Sequence, residues 1–100
     1  MKKIVSVGSA ALLLQACATP EFRPKDGFVP DAATAIKIAE AVWAPIYGRE
    51  KIETEKPFNA TLENEVWNVS GTLPKGFVGG VAEARISKRD GRILEVWHGK

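Results

Sequence analysis

The stretch Asp31–Tyr47, DAATAIKIAEAVWAPIY, decides the fold of this chain. Plotted at about 100° per residue, its apolar side chains cover roughly half of the helical circle. This arc contains Ala32, Ala35, Ile36, Ile38, Ala39, Val42, Trp43, Ile46 and Tyr47. Asp31 is a favourable N-cap, and Gly48 is a favourable C-terminal stop. Pro45 is expected to kink or end the helix near Ala44. The pattern predicts one amphipathic helix whose apolar face needs a covering layer.

Four segments after Gly48 alternate apolar and polar residues with a period of two, which is typical of half-buried antiparallel strands. They are Phe58–Leu62, Val66–Leu73, Val81–Ser87 and Ile93–His98. Trp67 falls on an apolar strand face and is expected to pack beneath the helix. The sequence therefore predicts an α+β domain in which one N-terminal helix packs on a four-stranded antiparallel sheet.

Apolar alternation and charge also predict the register of two hairpins. A short turn at Asn64-Glu65 sets Leu62 against Trp67 in the first hairpin. The last hairpin turns at Lys88-Arg89-Asp90-Gly91, which suits a type I turn followed by a left-handed glycine. Its predicted pairs are Lys88–Arg92, Ile86–Leu94, Arg85–Glu95, Ala84–Val96 and Glu83–Trp97.

Residues 1–16 have the parts of a secretory signal peptide. Lys2 and Lys3 supply the positive start, and the mostly apolar run Ile4–Leu14 follows them. This run is far too short to span a bilayer as a helix of the mature protein. The sequence therefore predicts a leader at 1–16, a proline-containing tether at 17–30 and one domain at 31–100.

The leader ends in Leu14-Gln15-Ala16-Cys17, which resembles a bacterial lipoprotein cleavage box. The resemblance implies cleavage before Cys17, the only cysteine, and attachment of lipid to its sulfur. Ala18 follows, whereas in lipoproteins of this type an aspartate there often signals retention in the inner membrane. We therefore expect a lipid-anchored protein on the periplasmic face of the outer membrane. The alternative is a stray thiol in an ordinary secretory leader.

Charge and residue types exclude several classes of function. Removal of Lys2 and Lys3 with the leader leaves twelve basic and twelve acidic residues, so the mature chain lacks the basic surplus of a nucleic-acid binder. The only histidine, His98, is expected at the end of a strand, and no histidine–cysteine cluster has metal-ligand spacing. The acidic residues of the linker Arg49–Lys56 are expected to be solvated. They are Glu50, Glu53 and Glu55. These features predict a non-enzymatic protein without a cofactor or metal.

Two places could bind a partner. In the loop Pro74–Gly80, Phe77 either plugs one end of the core or forms an apolar tip that binds a partner. Trp97 is out of phase with the core-facing residues of its strand, so with Ile93 it could form an exposed patch, unless the tether or Phe22 covers it. The candidate partner-binding residues are Phe77, Val78, Glu83, Arg85, Ile93, Glu95 and Trp97.

Several segments, in this order and spacing, are similar to a known family. They are Val42-Trp43-Ala44-Pro45-Ile46-Tyr47-Gly48, Lys56-Pro57-Phe58-Asn59-Ala60, Trp67-Asn68-Val69-Ser70-Gly71-Thr72-Leu73-Pro74, Gly79-Gly80-Val81-Ala82, Ile86-Ser87-Lys88-Arg89-Asp90-Gly91-Arg92-Ile93-Leu94 and His98-Gly99-Lys100. With the alanine-rich helix, Asp31–Lys100 resembles the bacterial immunity proteins that have a nuclear-transport-factor-2-like fold. The resemblance implies a non-enzymatic protein that binds and neutralises a bacterial toxin. The matched residues look mostly structural, so no toxin-binding site carries over.

The resulting hypothesis is a lipid-anchored periplasmic immunity protein, attached to the membrane through Cys17, that occludes the site of a cognate toxin. An alternative is a peptidase-inhibiting envelope module, because a helix followed by four strands also resembles cystatin and PepSY domains. A third class is a passive envelope scaffold or a small-ligand binder. A protease inhibition assay and a ligand-induced shift in melting temperature would separate these alternatives.

Overall fold

The structure is a computed structural model and describes residues 21–100. Its elements are α1 (Ala32–Tyr47), α2 (Arg49–Glu53), β1 (Asn59–Glu63), β2 (Val66–Ser70), β3 (Ala82–Ser87) and β4 (Ile93–His98). The four strands form one antiparallel sheet in the order β1-β2-β3-β4, and α1 packs on β1, β2 and β3. The predicted α+β architecture is confirmed. Within residues 21–100, no helix is both long enough and apolar enough to cross a membrane.

Helix α1 begins and ends at the predicted residues. The Asp31 carboxylate accepts a hydrogen bond of 2.8 Å from the backbone N–H of Thr34, and the N–H of Gly48 donates to the Ala44 carbonyl. Pro45 does not end the helix near Ala44. The helix continues to Tyr47, and Gly48 closes its last turn. The prediction that Ile46 is buried is wrong. Its side chain is 56% exposed, since the last turn of α1 extends past the part of the core that Trp43 fills.

Two tryptophans hold the helix and the chain before it on the sheet. Trp43 is fully buried, and its indole N–H donates to the carbonyl of Glu83 at 3.2 Å. Trp67 is buried as predicted, and its N–H donates to the carbonyl of Val29 at 2.8 Å. Val29 is itself buried, so the end of the predicted tether packs on the domain, whereas Phe22 is 77% exposed.

The first hairpin has the predicted register, with Leu62 opposite Trp67. Its turn residues Asn64 and Glu65 have φ values of 52° and 63°. Both central residues therefore adopt the left-handed conformation that a two-residue type I′ turn requires. This conformation matches the twist of the flanking strands, which explains how Glu65 is accepted in the turn.

The last hairpin follows the predicted register only at its open end, where Arg85 lies opposite Glu95. The predicted Ile86–Leu94 and Lys88–Arg92 pairs are wrong. Ile86 lies opposite Ile93, after a β-bulge next to Arg85. The turn closes one residue earlier than expected, because the Ser87 N–H donates to the Arg92 carbonyl. The extra residue in β4 is then accommodated by the bulge.

Candidate partner-binding surface

The connection from β2 to β3 presents the most exposed apolar side chains of the sheet. Phe77 is 67% exposed and Val78 is 95% exposed, so Phe77 does not plug the core. A turn closed by the Phe77 N–H and the Pro74 carbonyl forms the tip. Gly76 has a φ of 85°, a conformation that side chains other than glycine rarely adopt. The tip therefore projects an aromatic and an aliphatic side chain into solvent.

The base of this connection is held by hydrogen bonds on both sides. The N–H of Gly71 donates to the carbonyl of Ala82 at 3.0 Å, which closes the loop. The N–H of Thr72 donates to the backbone carbonyl of Glu55 at 2.7 Å, and its hydroxyl donates to the carbonyl of Pro57 at 2.6 Å. The loop thus combines a fixed base with an exposed tip.

Glu55 is central to that base, and the prediction that it is solvated is wrong. It is only 2% exposed, because α2 buries Ile52 and brings the residues that follow against the sheet. One carboxylate oxygen, Oε1, accepts the N–H of Ala82 at 2.8 Å. The other, Oε2, lies 2.8 Å from Nε2 of His98 and 3.8 Å from Nζ of Lys51.

His98 was expected at the end of a strand, with a contact role as the alternative, and its ring makes structural contacts. Nδ1 lies 2.7 Å from the carbonyl oxygen of Gly99, which can only accept, so Nδ1 carries a proton. The ring also packs edge-on against Tyr47, with ring centroids 5.2 Å apart. No sequence signal joins His98 to Glu55, because 43 residues separate them.

The other predicted binding residues lie mainly on the sheet face away from α1. Trp97 is 40% exposed and lies opposite Glu83. Beside this pair, Nη1 of Arg85 lies 3.3 Å from Oε1 of Glu95. Ile93 is not part of this row, because the bulge places it opposite the buried Ile86 on the helix side. The predicted apolar patch of Trp97 and Ile93 is therefore wrong. Trp97 alone lies on this face, among the charged side chains of Glu83, Arg85 and Glu95.

A groove of about 640 Å³ runs along the outer side of the two helices. It is lined by Lys37, Glu40, Ala41, Ala44, Pro45, Arg49 and Ile52. No sequence pattern pointed to this groove, because the segment that forms α2 was expected to be a charged linker between helix and sheet. In the part of the chain that the structure describes, no group of three or more His, Cys, Asp or Glu side chains could hold a metal ion. The predicted lipidation site, Cys17, lies outside the described residues.

The helix, the four-stranded sheet and their order agree with a comparison against protein-family models. The model described as NTF2 fold immunity protein matches residues 34–100. The chain belongs to the NTF2 fold immunity protein family.

Two curated relatives of this chain come from Escherichia coli (strain K12). The protein named "Uncharacterized protein YhhH" is 40% identical over 73 residues, which cover 72% of this chain and 58% of that protein. The protein named "Uncharacterized protein YbbC" is 37% identical over 67 residues, which cover 66% of this chain and 55% of that protein. The matched part thus spans somewhat more than half the length of each relative. No solved structure matches this chain.

Proposed function

We propose that this immunity protein is anchored in the cell envelope by a lipid on Cys17 and neutralises its toxin by covering the toxin's functional site. The observation that carries the occlusion mechanism is the exposed Phe77–Val78 tip on its hydrogen-bonded base. Exposed apolar side chains on a fixed base suit protein binding, because little conformational entropy is lost when the complex forms. Family membership supplies the class of partner.

The anchor is proposed from the Leu14-Gln15-Ala16-Cys17 segment. Each methylene of a lipid chain that enters the membrane contributes about 0.8 kcal/mol, so a multiply acylated Cys17 would hold the protein firmly. We propose that it faces the periplasm from the outer membrane. An immunity protein at this place would meet a toxin that arrives through the envelope or acts within it.

The test is a co-expression experiment with the protein encoded in the adjacent reading frame, which this proposal expects to contain the toxin domain. Cells that produce the toxin should grow when the full chain is present and stop growing when it is deleted. A Cys17→Ser variant should lose incorporation of radiolabelled palmitate and move out of the membrane fraction. If deletion causes no self-intoxication and the purified chain does not bind the toxin, the proposal is wrong.

A peptidase-inhibiting module is the second candidate, because the Phe77 tip projects from the end of the sheet and could enter a cleft. This function predicts that the chain inhibits an envelope peptidase and that trimming Gly76–Gly80 abolishes inhibition. Toxin neutralisation without inhibition of any peptidase in a standard panel would eliminate it.

A further inference from the structure

The two ends of the sheet differ in what they expose. The loop end is the end at which β3 begins and β4 finishes; it comprises the loop 72–80, residues 98–100 and the junction 46–51 between α1 and α2. Gly80 packs directly on Gly99, and Tyr47 contacts His98, so these segments form one surface. The turn end comprises the turns at 64–65 and 88–92, together with the docked Val29. Strand β3 separates the two ends by about 20 Å.

Charge is distributed unevenly between these ends. The exposed basic residues of the loop end are Arg49, Lys51, Lys75 and Lys100. The same segments contain one exposed acidic residue, Glu50, and Lys51 lies 3.8 Å from the buried carboxylate of Glu55. Glu83 lies on the adjoining sheet face opposite Trp97. The turns of the other end are closer to balance: Lys88, Arg89 and Arg92 are accompanied by Glu65 and Asp90, and Glu63 lies at the adjoining end of β1. The loop end is therefore basic although the predicted mature chain is close to neutral.

The loop end also carries the apolar tip. Phe77 and Val78 are 67% and 95% exposed, and Ile46 at the end of α1 is 56% exposed. Lys75 lies two residues before Phe77 in the same loop, and Lys100 packs against Gly79 beside it. Two apolar side chains are thus flanked by two lysines. A surface of this kind is complementary to an apolar recess whose rim carries carboxylates.

The position of the tether agrees with this assignment. The N–H groups of Phe28 and Val29 donate to the carbonyls of Arg89 and Lys88, so the chain that leads back toward Cys17 leaves the domain at the turn end. With the anchor proposed above, the loop end is the end farther from the attachment. A soluble partner can reach it without displacing the domain from the membrane.

We infer that the loop end is the surface that contacts the toxin, and that it fits an apolar recess of the toxin with an acidic rim. This inference rests on the proposed function. Phe77 and Val78 enter the recess, and Lys75 and Lys100 pair with the carboxylates of the rim. Positive charge at this end also raises the rate of encounter with an acidic site, an effect that salt weakens.

Binding of the full chain, purified in detergent micelles, to the toxin domain from the adjacent reading frame tests the inference. Wild-type affinity should fall several-fold between about 50 mM and 300 mM NaCl. The charge reversal K75E/K100E should weaken binding at least about tenfold and remove this dependence on salt, whereas K75R/K100R should bind like the wild type. F77S/V78S should also weaken binding at least about tenfold. Affinities are compared only among variants whose melting temperatures equal that of the wild type, so that loss of folding does not account for weaker binding.

Matched controls lie outside the loop end. R89E/R92E makes the same change in charge as K75E/K100E, and Phe22→Ser removes an aromatic side chain that is as exposed as Phe77. Both controls should bind within about twofold of the wild type. Equal loss of binding in controls and loop-end variants would overturn the inference, because the effect would then depend on net charge or on apolar content alone.

The outcomes separate this inference from the proposed function. If the wild type does not bind the toxin, the proposed function fails and the inference fails with it. If the wild type binds and the loop-end variants bind equally well, the inference alone is overturned. It is also overturned if those variants bind the toxin normally and lose only their affinity for phosphatidylglycerol vesicles, because the loop end would then bind the membrane. A dimer in sedimentation that Phe77→Ser dissociates would likewise overturn it, because the loop end would then be an interface between two copies of the chain.

Discussion

Nε2 of His98 lies 2.8 Å from Oε2 of Glu55, which precedes it by 43 residues. The same carboxylate accepts the N–H of Ala82 through its other oxygen, and the backbone carbonyl of Glu55 accepts the N–H of Thr72. One buried residue after α2 therefore joins the end of β4 to both sides of the exposed β2–β3 loop. Stability of the fold and presentation of the Phe77 tip depend on the same contact.

Replacing Glu55 by alanine should strongly destabilise the domain. The change leaves the Ala82 N–H and the His98 ring without their buried acceptor, and each buried polar group left without a hydrogen bond typically costs about 1–3 kcal/mol. Urea unfolding followed by tryptophan fluorescence gives the free energy. Glu53→Ala is the control, because Glu53 makes only a surface ion pair with Lys56 and its loss should change little. Equal stabilities of the two variants would contradict the role assigned to Glu55.

Gly71→Ala should destabilise the domain through the same contact. An added Cβ would lie 2.8 Å from Oε1 and 3.0 Å from Cβ of Glu55, too close for an unchanged structure. We expect a loss of about 1–3 kcal/mol in the free energy of unfolding. The effect should shrink when Glu55 is already alanine, because the carboxylate that must move is then absent. Strict additivity in this double-mutant cycle would rule out the proposed crowding.

Acid should remove part of the stability of α1. Hydrogen bonds from the Thr34 hydroxyl and the Thr34 N–H lower the pKa of Asp31 below its ordinary value of 3.8. The stabilisation is therefore complete above that ordinary value and is lost as pH falls through the lowered pKa.

Asp31→Asn isolates this contribution, because asparagine is also a good N-cap but does not titrate. The variant should unfold like the wild type at neutral pH and lose less stability between about pH 5 and pH 2. Urea unfolding across that range measures the difference. The variant should still lose some stability in acid, because it retains Asp90. The pKa of Asp90 is lowered mainly by a hydrogen bond from the N–H of Arg92. Parallel pH profiles for the two proteins would contradict the assignment.

Glu65→Gly should stabilise the first hairpin. Glu65 has a φ of 63°, where a side chain costs about 1–2 kcal/mol that glycine avoids. Asn-Gly is also the preferred pair for a type I′ turn. The greater flexibility of glycine in the unfolded chain offsets part of the gain, so we expect a net increase of about 0.5–1 kcal/mol. Thermal unfolding checks this, with Glu63→Gly inside β1 as a control that should lower the melting temperature.

The exposed loop shows where sequence patterns stop being decisive. Phe77 among glycines was compatible with a plug for the core and with an exposed tip, because local sequence does not say whether the core is already filled. Trp43 and Phe58 fill it, with ring centroids 5.3 Å apart, and Phe77 is left outside. The prediction that Ile93 lies beside Trp97 on the outer face of the sheet was wrong for a related reason. Alternation gives the phase of a strand only until a bulge shifts it, and turn closure at Ser87 produced such a shift.

The sequence by itself determined the elements that local physics controls. Helix α1 follows from apolar residues that recur with a period of 3.6, and its start follows from the capping chemistry of Asp31. The strands, and the register of the hairpin β1–β2, follow from apolar residues that recur with a period of two. Only the tertiary structure decided the pairing of Glu55 with His98, the docking of Val29 and the exposure of Phe77. The physical reason is that each of these depends on which distant residue occupies the space nearby, and no local spacing records that choice.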